Sequence, residues 1–230
     1  MRGGSRVDLA DRYNAVLERV DIACREAGRR RDSVSLIAVS KTHPPQRIRD
    51  VMARGQLHFG ESYAQELRDK GAQIEGLHWH FIGRVQTNKA KYIAPVAYRV
   101  HALESIRQAE ALTSRAPGTL HALMSVNVGR EDSKGGVLPE DVLTRAKALS
   151  RVEGLKLCGL MTLPPAAEDP EDTAPYFAEL AHLATEARRE GMDLTELSMG
   201  MSHDFHVAIR HGATWVRVGT ALFGPRVARR

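Results

Sequence analysis

The residues best suited to chemistry in this chain are a lysine that ends an apolar run and two small-residue turns near the other terminus. Leu36-Ile37-Ala38-Val39 reads as a buried strand, followed by Ser40-Lys41-Thr42 and bounded by Pro44-Pro45. Such a strand carries Lys41 to its carboxyl end, where α/β proteins of this type place their chemistry. A lysine partly desolvated there loses proton affinity, and its free amine attacks an aldehyde to form a Schiff base. Taken alone, the segment also fits a solvated lysine opening a loop. Towards the far end, Leu197-Ser198-Met199-Gly200-Met201-Ser202 runs a short strand into a helix start, with Ser202 as N-cap beside unpaired N–H groups. One strand later, Trp215-Val216-Arg217-Val218-Gly219-Thr220 ends in a glycine that lets a ligand approach the backbone. Together these two turns predict a phosphate cradle at the same rim as Lys41.

Other polar residues are weaker candidates. His78 and His80 share one face of a strand, and His203 and His206 stand three apart at a helix start. Either pair could chelate a metal, but neither has a nearby Cys or carboxylate cluster, so no metal site is expected. His80 is expected in a pocket wall, with His203 and His206 facing solvent or behind the residues that touch a ligand. Glu131 and Lys134 fit either a surface ion pair or a lid. Met124, Met161, Met199 and Met201 read first as core or pocket filler.

The elements that must position these groups are legible as patterns. Leu9, Tyr13, Val16, Leu17, Val20, Cys24 and Ala27 recur at helical spacing, and Gly28 stands where a terminating glycine belongs. Strands are then predicted at 35–39, 56–59, 77–82, 98–101, 121–128, 155–160, 196–199 and 214–218. Helices fall between them at 44–54, 61–70, 86–94, 104–115, 139–149, 170–190 and 202–211. Eight strands alternating with helices predict a single (β/α)8 TIM-type barrel with an extra N-terminal helix. The bounds are 1–33 for the helix, 34–224 for the barrel and 225–230 for a basic tail. An open nucleotide-binding sheet is disfavoured, because no GxGxxG follows the first strand and no Walker A loop is present.

Composition narrows the class further. A chain of 230 residues, 43% hydrophobic and 27% charged, is ordinary for a globular protein. No apolar run approaches the roughly 18 residues that span a bilayer, and Met1–Arg12 is too polar for a signal peptide. Cys24 and Cys158 lack CxxC spacing, which disfavours a disulfide framework. A cytoplasmic protein without a membrane partner is expected. The isoelectric point of 9.4 invites nucleic acid, with charge at Arg29-Arg30-Arg31 and in Arg226, Arg229 and Arg230. Elsewhere the basic residues alternate with acidic ones, and aromatics for base stacking are only 5%, so no nucleic-acid partner is expected.

A lysine facing a phosphate cradle suggests pyridoxal phosphate, and the chain resembles the pyridoxal phosphate homeostasis protein family, single-domain relatives of the alanine racemase barrel. The resemblance runs from about Val34 to Gly224. It rests on Ala38-Val39-Ser40-Lys41-Thr42, Phe59-Gly60-Glu61, Trp79-His80-Phe81-Ile82-Gly83, Gln86-Thr87-Asn88-Lys89 and Glu131-Asp132-Ser133-Lys134. It continues through Gly159-Leu160-Met161, Met199-Gly200-Met201-Ser202 and Val216-Arg217-Val218-Gly219-Thr220.

The resemblance implies that Lys41 carries pyridoxal 5'-phosphate as a covalent aldimine. It also implies that Ser202, Gly219 and Thr220 hold the phosphate with Gly200 near by, and that Arg217 meets the pyridine nitrogen. Met161 would line the pocket, with His80 and Asn88 as its polar wall. Ser62 stands where the family usually has Asn, and Gly224-Pro225-Arg226-Val227 lacks the tyrosine often found after the last strand. The implied role is storage, buffering or delivery of the cofactor, with apo forms of pyridoxal-phosphate enzymes as recipients. The alternative is an amino-acid racemase. Racemases of the related type use a tyrosine from a second domain across a dimer, and this chain stops after the last strand, so a non-enzymatic monomer is expected.

Overall fold

The structure, a computed structural model, describes residues 8–225. The basic tail from Arg226 onward and the first seven residues lie outside the described residues. The strands are β1 (Ser35–Val39), β2 (His58–Glu61), β3 (His78–Phe81), β4 (Arg99–Leu103), β5 (Leu120–Ser125), β6 (Leu155–Met161), β7 (Glu196–Met201) and β8 (Trp215–Val218). All neighbours pair in parallel, and β8 returns to β1 through Ser35↔Trp215 and Ala38↔Val218, closing the barrel. The helices are α1 (Leu9–Glu26), α2 (Pro45–Met52), α3 (Ala64–Gly71), α4 (Ala90–Ile93), α5 (Ile106–Thr113), α6 (Val142–Leu149), α7 (Ala174–Arg189), α8 (Phe205–Arg210) and α9 (Thr220–Phe223).

The expected barrel with its extra N-terminal helix is therefore observed. Packing between helices and strands follows the sequence periodicity. Val16 and Val20 of α1, Ile48 and Val51 of α2, and Phe177 and Leu180 of α7 are buried in one apolar cluster with Phe59, Phe81 and Val100 of the strands. Each such side chain contributes about 1.5–3 kcal/mol on burial. Helix α1 lies against α2, α8 and α9. Tyr13 Oη donates to Gln56 Oε1 at 3.3 Å, and Gln56 Nε2 donates to the carbonyls of Leu36 and His58 at 2.7 Å. Arg29 donates to the carbonyls of Ile209 and Ala213 at 2.8 and 2.7 Å, so this member of the arginine run anchors the chain around the end of α8.

Local departures have local causes. Strand β2 begins two residues later than expected because Gln56 is buried as a side-chain bridge. Glu61, expected to open a helix, is instead the last residue of β2, wholly buried against Lys70, and α3 starts at Ala64. Helix α9 was not expected from the sequence; its four residues carry too short a pattern to register.

Candidate functional site

A cleft of about 420 Å³ opens at the carboxyl rim, above β1, β2, β7 and β8. Its wall includes Lys41, Ser62, Ser202, Arg217, Gly219 and Thr220, so the fold gathers these six residues from opposite ends of the chain. Lys41 follows β1 in a tight turn, with its Nζ 3.4 Å from Ser62 Oγ. The turn is held from beneath. Thr42 has a positive φ of 67° and donates its N–H to Glu66 Oε2 at 2.8 Å. Lys70 Nζ donates to the Ser40 carbonyl at 2.9 Å, to Glu61 Oε1 at 2.7 Å and to Glu66 Oε2 at 3.0 Å. The Ser40 hydroxyl donates to Glu61 Oε1 at 2.7 Å. Burial pushes the Glu61 carboxyl up to about 7, against the pull of Lys70 and Ser40. This clamp was missed from sequence; the nine-residue interval from Glu61 to Lys70 was its only trace.

The cradle differs in detail from the expected one. Asp204, not Ser202, is the N-cap residue of α8, and its Oδ1 accepts from the Met201 N–H at 2.6 Å. Ser202 Oγ instead accepts from the backbone N–H groups of Gly219 and Ala221 at 3.3 and 3.4 Å. The Ser202 hydroxyl and the first N–H groups of the β8–α9 turn thus converge on one side of the cleft, an arrangement suited to an anion. Gly200 is buried with φ 87°, and a Cβ there would meet Ala208 and the Phe205 backbone at 2.6 and 2.8 Å. It lets β7 pack against α8 and does not line the cleft.

Arg217 reaches the cleft from the barrel interior and is only 4% exposed. Its Nη1 donates to Ser198 Oγ at 2.7 Å and its Nη2 to the Thr162 carbonyl at 2.8 Å. A guanidinium carries five N–H donors, so three have no partner among the described residues. Burial lowers its proton affinity to about 10, partly opposed by Asp204, which still leaves it charged at neutral pH.

The other expected wall residues lie elsewhere. His80 is wholly buried beneath the cleft, because its side chain points into the barrel and both ring nitrogens meet other imidazoles. Asn88 is exposed on a 3-10 turn, Thr87–Lys89, away from the cleft. Met161, at the end of β6, lines a side chamber of about 170 Å³. That chamber shares Ile82, Arg84 and Leu163 with the main cleft. His43, Arg84 and His203 supply the polar wall instead. His43 lies two residues past Lys41, a signal that could have been used; the loop position of Arg84 offered none. Lys134 pairs with Glu131, donates to the Pro164 carbonyl at 2.9 Å and borders the side chamber. Among the described residues no group of three or more His, Cys, Asp or Glu side chains is arranged for a metal, and no helix is long and apolar enough to cross a membrane.

The closed parallel barrel, with a lysine after its first strand and its cleft at the carboxyl rim, belongs to a chain that the family model of the alanine racemase N-terminal domain matches over residues 14–227. An alanine racemase from Corynebacterium glutamicum shares the fold at 20% identity and TM-score 0.69, the match covering 95% of this chain and 63% of that one. Among full-length relatives, the pyridoxal phosphate homeostasis protein of Aquifex aeolicus is 43% identical, with 96% of this chain and 99% of that protein aligned. The chain belongs to the pyridoxal phosphate homeostasis protein family. The structure of PipY from Synechococcus elongatus with PLP bound superposes with TM-score 0.78 at 34% identity, covering 90% of this chain and all of PipY.

Proposed function

We propose that this chain is a single-domain, monomeric, cytoplasmic carrier that binds pyridoxal 5'-phosphate as a Schiff base on Lys41 and stores, buffers or delivers it to apo-enzymes. The observation that carries the reading is the convergence of Lys41, Arg217 and the Ser202–Gly219–Thr220 turn on one cleft. In this reading Ser202, the turn N–H groups and the Thr220 hydroxyl receive the phosphate. Gly200 shapes the strand end behind them, and Ser62 and Met161 flank the ring and its side chamber. Arg217 donates to the ring nitrogen. A guanidinium does not surrender its proton there, so the ring stays unprotonated. When bound, the cofactor supplies an electron sink for amino-acid chemistry, and this arginine weakens it.

Racemisation needs proton exchange on both faces of Cα. Among the described residues no tyrosine lines the cleft: Tyr63, the nearest in sequence, follows the cleft residue Ser62 but is exposed outside the lining, Tyr13 is buried on the inner face of α1, and Tyr98 lies at the barrel floor beside His78. Low turnover is therefore expected.

The test combines three measurements. Cofactor added to the protein should give a yellow species that borohydride bleaches, leaving an adduct mapped to Lys41 and absent in Lys41→Ala. Transfer to an apo-enzyme should follow on mixing. Exchange of Cα hydrogen in D₂O should stay far below about 1 s⁻¹ for a panel of amino acids. An adduct on Lys89 or Lys134 overturns the site; exchange at enzymatic rates overturns the carrier role in favour of a racemase.

A further inference from the structure

The barrel axis holds an unbroken line of polar side chains. His58 Nδ1 lies 2.9 Å from His80 Nε2, His80 Nδ1 lies 2.8 Å from His101 Nε2, and His101 Nδ1 lies 2.8 Å from Ser198 Oγ. Ser198 then meets Arg217 at 2.7 Å. His80, His101 and Ser198 are completely buried, while His58 is half-buried at the amino end of β2, stacked on His78 and edge-on to Trp215. The line therefore crosses from the floor of the barrel to the cleft. Barrel interiors are commonly filled by Val, Ile and Leu layers, so the line needs a reason.

Arg217 supplies a direction. It can only donate, so Ser198 Oγ must accept from it. Ser198 has no other side-chain partner among the described residues than His101. If His101 Nδ1 also donated to it, the buried Ser198 hydrogen would have no acceptor, an arrangement that is strongly disfavoured. Ser198 therefore donates to His101 Nδ1. His101 must then carry its hydrogen on Nε2 and donate to His80. His80 in turn carries its own on Nε2 and donates to His58, whose Nε2–H faces the floor. Each link forces the next. Every acceptor end points towards Arg217 and every donor end away, so the aligned dipoles favour positive charge at Arg217. No carboxylate bonds to this guanidinium; its acceptors are the neutral Ser198 hydroxyl and Thr162 carbonyl. An ion pair would neutralise the charge, whereas neutral acceptors orient it and leave it available to a ligand.

We propose that Ser198, His101, His80 and His58 form a one-directional hydrogen-bond chain of positioning residues, with all three imidazoles held as Nε2–H tautomers, that orients Arg217 towards the ring nitrogen of the bound cofactor. The last clause rests on the pyridoxal phosphate reading above; the direction of the chain does not.

The test begins with the apo-protein labelled with ¹⁵N. Long-range proton–nitrogen correlation should show His80 and His101 each as a single neutral Nε2–H tautomer at pH 7–8, with slowly exchanging Arg217 side-chain N–H signals. In Ser198→Ala, His101 should become a tautomer mixture, the Arg217 signals should broaden, and pyridoxal phosphate binding should weaken about tenfold with a shifted absorption band. His78→Gln, which alters a ring stacked on the chain but outside it, should leave the His80 and His101 tautomers and the Arg217 signals as they are. A wild-type protein with Nδ1–H or mixed tautomers at His80 or His101 overturns the proposal without any variant. A folded Ser198→Ala protein with unchanged Arg217 signals and affinity overturns the positioning role. Absence of cofactor binding by the wild type overturns the carrier reading and the cofactor-directed clause, while the tautomers still decide the direction of the chain.

Discussion

Two buried regions of this barrel are built on opposite principles. The layer between sheet and helices is apolar: Phe59, Phe81, Phe177 and Phe205 are fully enclosed there with Ile48, Leu67 and Leu112. The lumen, enclosed by the same strands, holds His80, Arg99, His101, Ser198 and Arg217, with only small apolar groups around Ile37, Val39 and Trp215 and around Leu123 and Met161. In the outer layer any well-shaped apolar side chain gains free energy on burial. In the lumen each polar group depends on one partner, often across the barrel. Arg99 on β4 reaches Glu196 on β7 at 2.7 Å, and Trp215 Nε1 donates to the same carboxylate at 2.8 Å. The outer layer supplies stability; the lumen supplies orientation, and its polar chain ends at the cleft through Arg217.

Breaking the outer layer should have the largest effect on stability. Phe177→Ala removes a fully buried ring and should destabilise the fold by about 3–5 kcal/mol in urea unfolding, while the folded fraction keeps its affinity for pyridoxal phosphate. Loss of affinity in fully folded protein would show that the two regions are not separable. Next in size, Arg99→Met strands the Glu196 carboxylate with Trp215 alone and should lower stability by about 3 kcal/mol. Adding Glu196→Gln, which keeps an acceptor for Trp215, should restore stability to within about 1 kcal/mol of wild type. A double variant as unstable as the single would mean that the lumen needs its charge and not merely its polarity.

The third effect is pH dependence. Burial, with His78 and Arg99 near by, pushes folded His58 down to about 4, and burial drives His80 and His101 the same way. Unfolded histidine takes up a proton near pH 6.5, so the unfolded state binds more protons between about 6.5 and 4. Stability contributed by the neutral imidazoles is thus complete above pH 6.5 and is lost as pH falls through that window. Glu61 acts in the opposite sense. Raised to about 7 in the fold, it favours the folded state at low pH and loses that contribution as pH rises from about 4.5 to 7. Unfolding titrations of His58→Gln and Glu61→Gln should separate them. The first should lose about 2 kcal/mol of the acid-side slope, discounted for its partial exposure, and the second should lose a slope of opposite sign. Equal signs in the two variants would refute the assignment of these groups.

The parts legible in the sequence are those that repeat locally. Apolar runs and helical spacing gave the alternation of eight strands with helices. The strand ending in Lys41 and the turns at Met199-Gly200-Met201-Ser202 and Val218-Gly219-Thr220 marked three of the strand ends that meet at the cleft. The lumen was not legible in the same way. His78-Trp79-His80 and Arg99-Val100-His101 alternate as strands should, but a strand buried on both faces does not reveal which face turns inward. His80 was therefore expected at a pocket wall, whereas it lies below one.

Length and spacing of apolar residues, which act over a few positions, determined from sequence alone that this chain folds as a parallel barrel with a lysine at its carboxyl rim. Only the tertiary structure decided that Ser202 bonds the β8–α9 turn instead of capping α8, that Lys70 and Glu61 clamp the Lys41 turn, and that three histidines stand behind Arg217. The physical reason is distance along the chain. His101 and Ser198 are 97 residues apart and meet only because the barrel closes, and a buried polar group's partner is set by that closure, not by its neighbours in sequence.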